Sequence, residues 1–384
     1  MDINVRSFAF SDAGSAVYQQ GRQQLENAFP DLKFSYVDVA QVLHFVTGGS
    51  ETAAVAAMQP GKMYLLLAGA EGNSWAAATE VKAWASENGI PAILVSIDDD
   101  KDLLQKFGTV TSAFDALQGK RAGLIGGVSD WLVASAFPLN LANERFGIEI
   151  LEYPWPKLPG WFSFDPDKKF LTTFAGNDQQ KFEKEARIYA FLKHILSEKQ
   201  LDALTLECFT MVKQKDVTAC LALAMLNNEG VIAACEGDLV SLTGMMLMQA
   251  LTGKAPWMAN VARLSAENVL FAHCTAPLDF VSEYNTDTHF ETGKSAAIQG
   301  SVPFDELTVF RMNRSLNRAF ISKGTVKERP QHDFACRTQL EVALPARDIR
   351  KMKEDPLGNH HLLVPGDCTS LLQMACLYKG IRVV

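Results

Sequence analysis

The stretch Gly230-Val231-Ile232-Ala233-Ala234-Cys235-Glu236-Gly237-Asp238 constrains this chain more than any other. A run of small and β-branched residues ends abruptly in two carboxylates separated by one glycine. Leu239 to Leu251 follows, apolar nearly all round, and stops at Thr252-Gly253. That pattern predicts a buried parallel strand, a tight turn, and a buried helix closed by a C-terminal glycine. Buried carboxylates are costly unless something cationic meets them. In open α/β sheets, ligands bind beyond the carboxyl ends of the strands, where this turn would lie. Two readings stand side by side: the turn holds a divalent metal and a sugar, or its acids cap the helix and pair with an arginine.

The flanking sequence implies two Rossmann-like parallel α/β domains, then a β-rich, barrel-like domain. The expected boundaries are residues 1–116, 117–253 and 254–384. In the first domain, Val5–Phe10, Phe34–Val39, Met63–Leu67 and Ala92–Ile97 read as strands, with Ser11–Phe29 as a helix. The loop Gly69-Ala70-Glu71-Gly72-Asn73-Ser74 lacks the G-x-G-x-x-G dinucleotide fingerprint. In the second, Ala122–Ile125 is a strand, and Gly126-Gly127-Val128-Ser129-Asp130-Trp131 should open a helix with Ser129 as N-cap. A charge-laced helix is expected over 179–199, a strand at Ala203–Leu206 running into Glu207, and a buried helix at Val217–Leu226. Beyond Gly253 the texture changes to short β-rich runs: Trp257–Val261, Val269–His273, Leu307–Met312, Arg318–Ser322 and Thr338–Leu344.

Bulk properties exclude several classes. A net charge of −8 with no offsetting basic tract argues against nucleic-acid and anionic-membrane partners. Seven cysteines without a CxxC pair suit reduced core thiols rather than a disulfide framework. No apolar run reaches the roughly 18 to 20 residues that span a bilayer, and the first residues lack the basic and apolar parts of a signal peptide. A cytoplasmic, soluble protein is the expectation.

HExxH, G-x-S-x-G and zinc-type Cys/His spacings are all missing, and Gly293-Lys294-Ser295 lacks the earlier glycine of a phosphate loop. What remains is the Glu236/Asp238 turn, a strand end at His273-Cys274, and the pair His360-His361. Neighbouring histidines in a strand point to opposite faces, so one of the pair enters any given site. Carboxylate plus imidazole suits a mid-series divalent ion such as Mn²⁺. Glu207, at another strand end, and the indoles of Trp131 and Trp155 are candidate sugar contacts. The proline-rich setting of Trp155 also suits plain packing.

The run Cys235-Glu236-Gly237-Asp238 with its apolar helix to Gly253 resembles the metal-site segment of the L-fucose isomerase and L-arabinose isomerase superfamily. Gly358-Asn359-His360-His361 is similar to that family's late Gly-x-His motif. Gly123-Leu124-Ile125-Gly126-Gly127 and His273-Cys274-Thr275-Ala276-Pro277 are similar to segments of its shorter members. The resemblance implies aldose–ketose interconversion through an enediol, a divalent metal (usually Mn²⁺), and a homo-oligomer, trimer or hexamer. By the same resemblance Glu236 is metal ligand and acid/base. Asn260 falls where an aspartate ligand is expected, His360 or His361 is the final ligand, and His273 matches an extra histidine ligand. An amide at Asn260 can coordinate through oxygen but cannot shuttle a proton. Asp238 and Glu207 are then the candidate replacements; otherwise the chain is a non-catalytic sugar-binding relative. A carbohydrate hydrolase or lyase using the same two carboxylates is the remaining alternative.

Overall fold

The computed structural model describes residues 2–176 and 180–384, so the expected helix start at Gln179 lies outside the described residues. Two compact units emerge, one of residues 2–112 with 374–381, the other of residues 113–373 with 382–384. Among the described residues no helix is long and apolar enough to cross a membrane.

The first unit is built on a five-stranded parallel sheet. Its strands are β1 (Asp2–Phe8), β2 (Lys33–Tyr36), β3 (Val42–Phe45), β4 (Tyr64–Ala68) and β5 (Ala92–Ser96), in the order β2-β1-β3-β4-β5. Helices α1 (Ser15–Ala28), α2 (Glu51–Ala57), α3 (Ser74–Glu87) and α4 (Lys101–Leu117) connect or follow them. Strand β3 is a correction to the sequence reading, which left this segment unassigned. All four of its residues are buried, including His44, whose Nδ1 lies 3.3 Å from Ser7 Oγ.

The second unit starts with a parallel sheet of β6 (Arg121–Ile125), β7 (Glu149–Tyr153), β8 (Ala203–Leu206) and β9 (Ile232–Cys235), ordered β7-β6-β8-β9. Its helices are α5 (Asn140–Phe146), α6 (Lys168–Phe174), α7 (Glu183–Glu198), α8 (Phe209–Lys215), α9 (Cys220–Asn228) and α10 (Leu239–Thr252). The helix expected to open at Gly126 is absent: 126–139 runs as turns, and α5 begins only at Asn140. As expected, Gly253 closes α10 in left-handed backbone, its φ at 73°.

The third layer is a closed antiparallel barrel of β10 (Trp257–Leu264), β11 (Asn268–His273), β14 (Glu306–Met312), β15 (Arg318–Glu328), β16 (Thr338–Ala343) and β17 (His360–Pro365). Its order is β14-β17-β10-β11-β16-β15, and the β15–β14 pairing completes the ring. A separate hairpin, β12 (Glu283–Asp287) with β13 (Ala297–Ser301), stands beside it. In chain order, helix α11 (Ala346–Glu354) precedes β17 and α12 (Thr369–Tyr378) follows it, and β18 (Arg382–Val383) adds parallel to β15. The fold class read from the sequence is therefore the observed one. Helix α10 packs on β8 and β9 and also on β14 and β17 of the barrel, which is why it is apolar all round. A Cβ on Gly244 would lie 2.7 Å from Leu362 Cδ1, so the helix needs glycine there to approach β17. Each fully buried Leu or Met along it contributes about 1.5–3 kcal/mol.

Candidate metal centre

Strand β9 ends at Cys235 and α10 starts at Leu239, leaving three residues for the turn. Glu236 and Gly237 both take left-handed backbone, with φ of 63° and 72°. Gly237 is there by necessity, since a Cβ would fall 2.0 Å from the Gly127 carbonyl oxygen. For Glu236 the same conformation costs about 1–2 kcal/mol, a kind of strain that clusters at functional sites. The irregular segment after β6 closes over this turn, with the Ser129 N–H donating to the Glu236 carbonyl at 3.0 Å.

The two acids have different surroundings. Asp238 is fully buried and caps α10, accepting the Ser241 N–H at 2.6 Å. Its other oxygen faces Arg311 Nη1 at 3.3 Å and His360 Nδ1 at 2.9 Å. Burial alone would raise its carboxyl, but Arg311 and His360 outweigh that and hold it far below the usual carboxylate range. Capping and arginine pairing thus describe Asp238. Its position offers no free oxygen for proton transfer.

Glu236 is the acid left available. Trp131 Nε1 donates to its Oε2 at 2.8 Å. Its Oε1 faces His360 Nε2 at 3.6 Å and His273 Nε2 at 3.8 Å, both too long for hydrogen bonds. Both imidazole nitrogens are buried without a hydrogen-bond partner. Burial would raise the Glu236 carboxyl, yet His360 above all, then His273 and the Trp131 N–H, bring it to about 2. Burial would lower His360, but the Glu236 and Asp238 carboxylates raise it to about 9.

The orphaned nitrogens test whether a dication fits. His360 gives its Nδ1–H to the Asp238 carboxylate, which leaves Nε2 as the lone-pair nitrogen once the ring is neutral. A histidine oriented by a carboxylate in this way is the usual form of a metal ligand. Donor atoms of Cys235, Glu236 and His273 lie within 4.8 Å of one another, a set able to chelate a divalent metal. His273 Nδ1 accepts the Thr275 N–H at 3.2 Å, so its neutral ring carries the proton on Nε2. It presents an N–H toward Glu236 and becomes a ligand only by giving up the Thr275 bond. Burial keeps it neutral, lowering it to about 3.

The chain is similar to sulfoquinovose isomerases. That of Alkalicoccus urumqiensis is 22% identical over 214 residues, covering 53% of this chain and 48% of the relative. Those of Priestia aryabhattai and Priestia megaterium (strain ATCC 12872 / QMB1551) are each 24% identical over 200 residues, covering 49% of this chain and 45% of the relative. The chain spans about half the length of the curated relatives it matches. No protein-family model matches it.

The other expected site residues divide. Asn260 pairs with His360 across the β10–β17 ladder and shares its face, but its Oδ1 accepts the Asn359 amide at 2.6 Å. His361 pairs with Ala259 on the opposite face, its ring between Phe271 and Phe320 and its Nδ1 3.0 Å from the Asn359 carbonyl oxygen. The ladder therefore places His360, and not His361, beside Glu236. Trp131 is half exposed and packs edge-on to Phe209 at 4.7 Å. Trp155 stacks on Phe191 at 6.2 Å and donates to Glu207 Oε2 at 3.2 Å, while Glu207 Oε1 caps Thr210 N at 3.0 Å. Glu207 and Trp155 are thus tied to each other, and a Cβ on Gly126 would sit 2.3 Å from the Trp155 indole nitrogen.

Several residues of the site went unforeseen. Arg311 reaches Asp238, Ser241 Oγ at 3.0 Å and Ser135 Oγ at 2.8 Å. Gly358 makes room for it, since a Cβ there would lie 2.4 Å from Nη2. The legible signal was an arginine inside the apolar run Leu307–Met312, because a charge in a buried strand has a partner. His289 packs on Phe209 at 5.6 Å, and the electrostatic field of Glu236 reaches both His289 and Glu291.

Proposed function

We propose that this chain is a divalent-metal-dependent isomerase interconverting an aldose and its ketose, of the L-fucose/L-arabinose isomerase type, with Mn²⁺ as the ion. The observation that carries this reading is the pair of orphaned imidazole nitrogens facing Glu236 Oε1, one on a histidine fixed by Asp238. Glu236 and His360 would hold the ion, with His273 beside them. An ion held there would polarise the sugar carbonyl and lower the cost of charge on its oxygens. The half-exposed Trp131 indole offers a face for the sugar ring while its N–H fixes Glu236. His273 presents an N–H to a sugar oxygen, and Glu236 carries a proton between neighbouring substrate atoms. A homo-oligomeric, cytoplasmic enzyme with a sugar substrate belongs to the same reading.

Sulfoquinovose, named by the relatives this chain is similar to, is the first aldose to try, with L-fucose and L-arabinose next. The expected outcome is ketose formation by Mn²⁺-loaded protein, its loss on chelation, and its abolition in a folded Glu236→Gln variant. Near-full turnover by Glu236→Gln counts against the assignment. One observation favours a second reading, a sugar-binding relative without turnover: the amide of Asn260, where the family pattern has an acid, is engaged by Asn359. Metal and sugar bound together with no ketose from any aldose would support that reading.

A further inference from the structure

The ligands that the resemblance implies are oxygen and imidazole nitrogen only, from Glu236, Asn260, His273 and one of His360 and His361. The structure adds sulfur. All seven cysteines are free, and among the described residues Cys235 alone of them joins a metal-capable group, its Sγ within 4.8 Å of donor atoms of Glu236 and His273. His273 Nε2 is buried, lacks a hydrogen-bond partner and stands 3.8 Å from Glu236 Oε1.

The backbone brings these donors together. Cys235 is the last residue of β9, in register with Leu206 of β8. In extended chain the next side chain would point to the opposite face. Left-handed backbone at Glu236, with φ of 63°, breaks that alternation, so consecutive residues bring sulfur and carboxylate to one place. Chelation by neighbours gives the strained turn a use. Donors at 2.0–2.3 Å from one tetrahedral ion lie about 3.3–3.8 Å apart, so the group closes on an ion by at most about 1.5 Å.

A second thiol supports the first. Cys208 Sγ lies 3.5 Å from Cys235 Sγ, and both side chains are buried. When an ion binds, the Cys235 thiol proton leaves to buffer. The Cys208 S–H is then the donor of that contact and steadies the thiolate from behind. His273 joins only after its Nε2 proton moves to Nδ1, at the expense of the Thr275 hydrogen bond. Cys235 and Glu236 are therefore the firm pair.

We infer that Cys235 is a ligand of the centre, and that its thiolate gives the site a preference for thiophilic ions such as Zn²⁺ and Co²⁺. Mn²⁺, which favours oxygen, relies on Glu236 and on His360, whose Nε2 is 3.6 Å from Oε1. This inference rests on the metal centre of the isomerase reading.

The test loads reduced, chelator-stripped protein with Co²⁺, Zn²⁺ or Mn²⁺ alone. Co²⁺-loaded wild type should show a thiolate-to-cobalt charge-transfer absorption in the near ultraviolet, lost in Cys235→Ala and kept in Cys208→Ala. X-ray absorption of Zn²⁺-loaded wild type should show one sulfur at about 2.3 Å, a reading that needs no variant to fold. Cys235→Ala should weaken Zn²⁺ binding by more than about 100-fold and Mn²⁺ binding by less than about tenfold. Bound Co²⁺ without the band overturns the inference, and so does a band that follows Cys208 instead of Cys235. A zinc shell of nitrogen and oxygen alone, or equal losses for the two ions, overturns it as well. Protein that binds none of the three ions takes down the metal centre too, whereas Co²⁺ or Zn²⁺ held without sulfur leaves the isomerase reading standing.

Discussion

His360 and His361 show how much one residue's facing decides. Both are buried, yet Asp238 and Glu236 raise the first to about 9 and burial lowers the second to about 3. Replacing His360 with Ala should weaken Mn²⁺ binding by more than about 100-fold, since it removes a ligand and not merely its support. His361→Phe should keep the metal and change stability by no more than about 1–3 kcal/mol, because the ring sits among Phe271 and Phe320. Metal titration of the two variants checks this, and equal losses would contradict the geometry. The pair itself was legible in the sequence, since adjacent strand residues must face apart. Which one faces Glu236 was not, because it depends on the register that sets Asn260 against His360. The resemblance also implied a ligand role for His273. The Thr275 hydrogen bond that fixes its tautomer is a backbone detail no residue type announces.

At the scale of elements, the strand–turn–helix of β9 and α10 was readable because its whole signal is local, a short apolar run, a polar break, a long apolar run and a glycine. β7 escaped notice because its sequence, Glu149–Tyr153, is short, carries two glutamates and lies at a sheet edge, and β3 because His44 reads as polar while being packed away. The 126–139 segment misled for a different reason. Its Gly-Gly-Val-Ser pattern is a good helix start, but the backbone there is committed to closing over the Glu236 turn. Asp238 joins these elements, since it caps α10 from the β9 side and binds Arg311 on β14 and His360 on β17. Asp238→Asn keeps a capping oxygen but leaves Arg311 buried without its counter-charge, a change expected to cost about 3–5 kcal/mol in urea unfolding. Coupling it with Arg311→Met should recover part of that loss, since the stranded charge is then gone. Additive losses would mean that the two side chains do not depend on each other.

The whole molecule divides its labour by unit. Trp131, Cys235, His273 and His360 around Glu236, and Arg311 beside Asp238, all belong to the second compact unit. Linkage then makes a specific demand. A metal stabilises only against those openings that destroy its site, by about 2.7 kcal/mol at a free concentration 100 times Kd. Amide hydrogen exchange resolves openings segment by segment. Mn²⁺ should therefore slow exchange in β9, α10, β11 and β17, whose residues carry or support the ligands, by up to about 100-fold. Exchange in β1 to β5 should stay unchanged. Chelation with EDTA should reverse the protection, and the Glu236→Gln variant should show little of it at the same Mn²⁺ concentration. Protection spread evenly over both units, or confined to the parallel sheet of the first, would place the ion somewhere other than between Glu236 and His360.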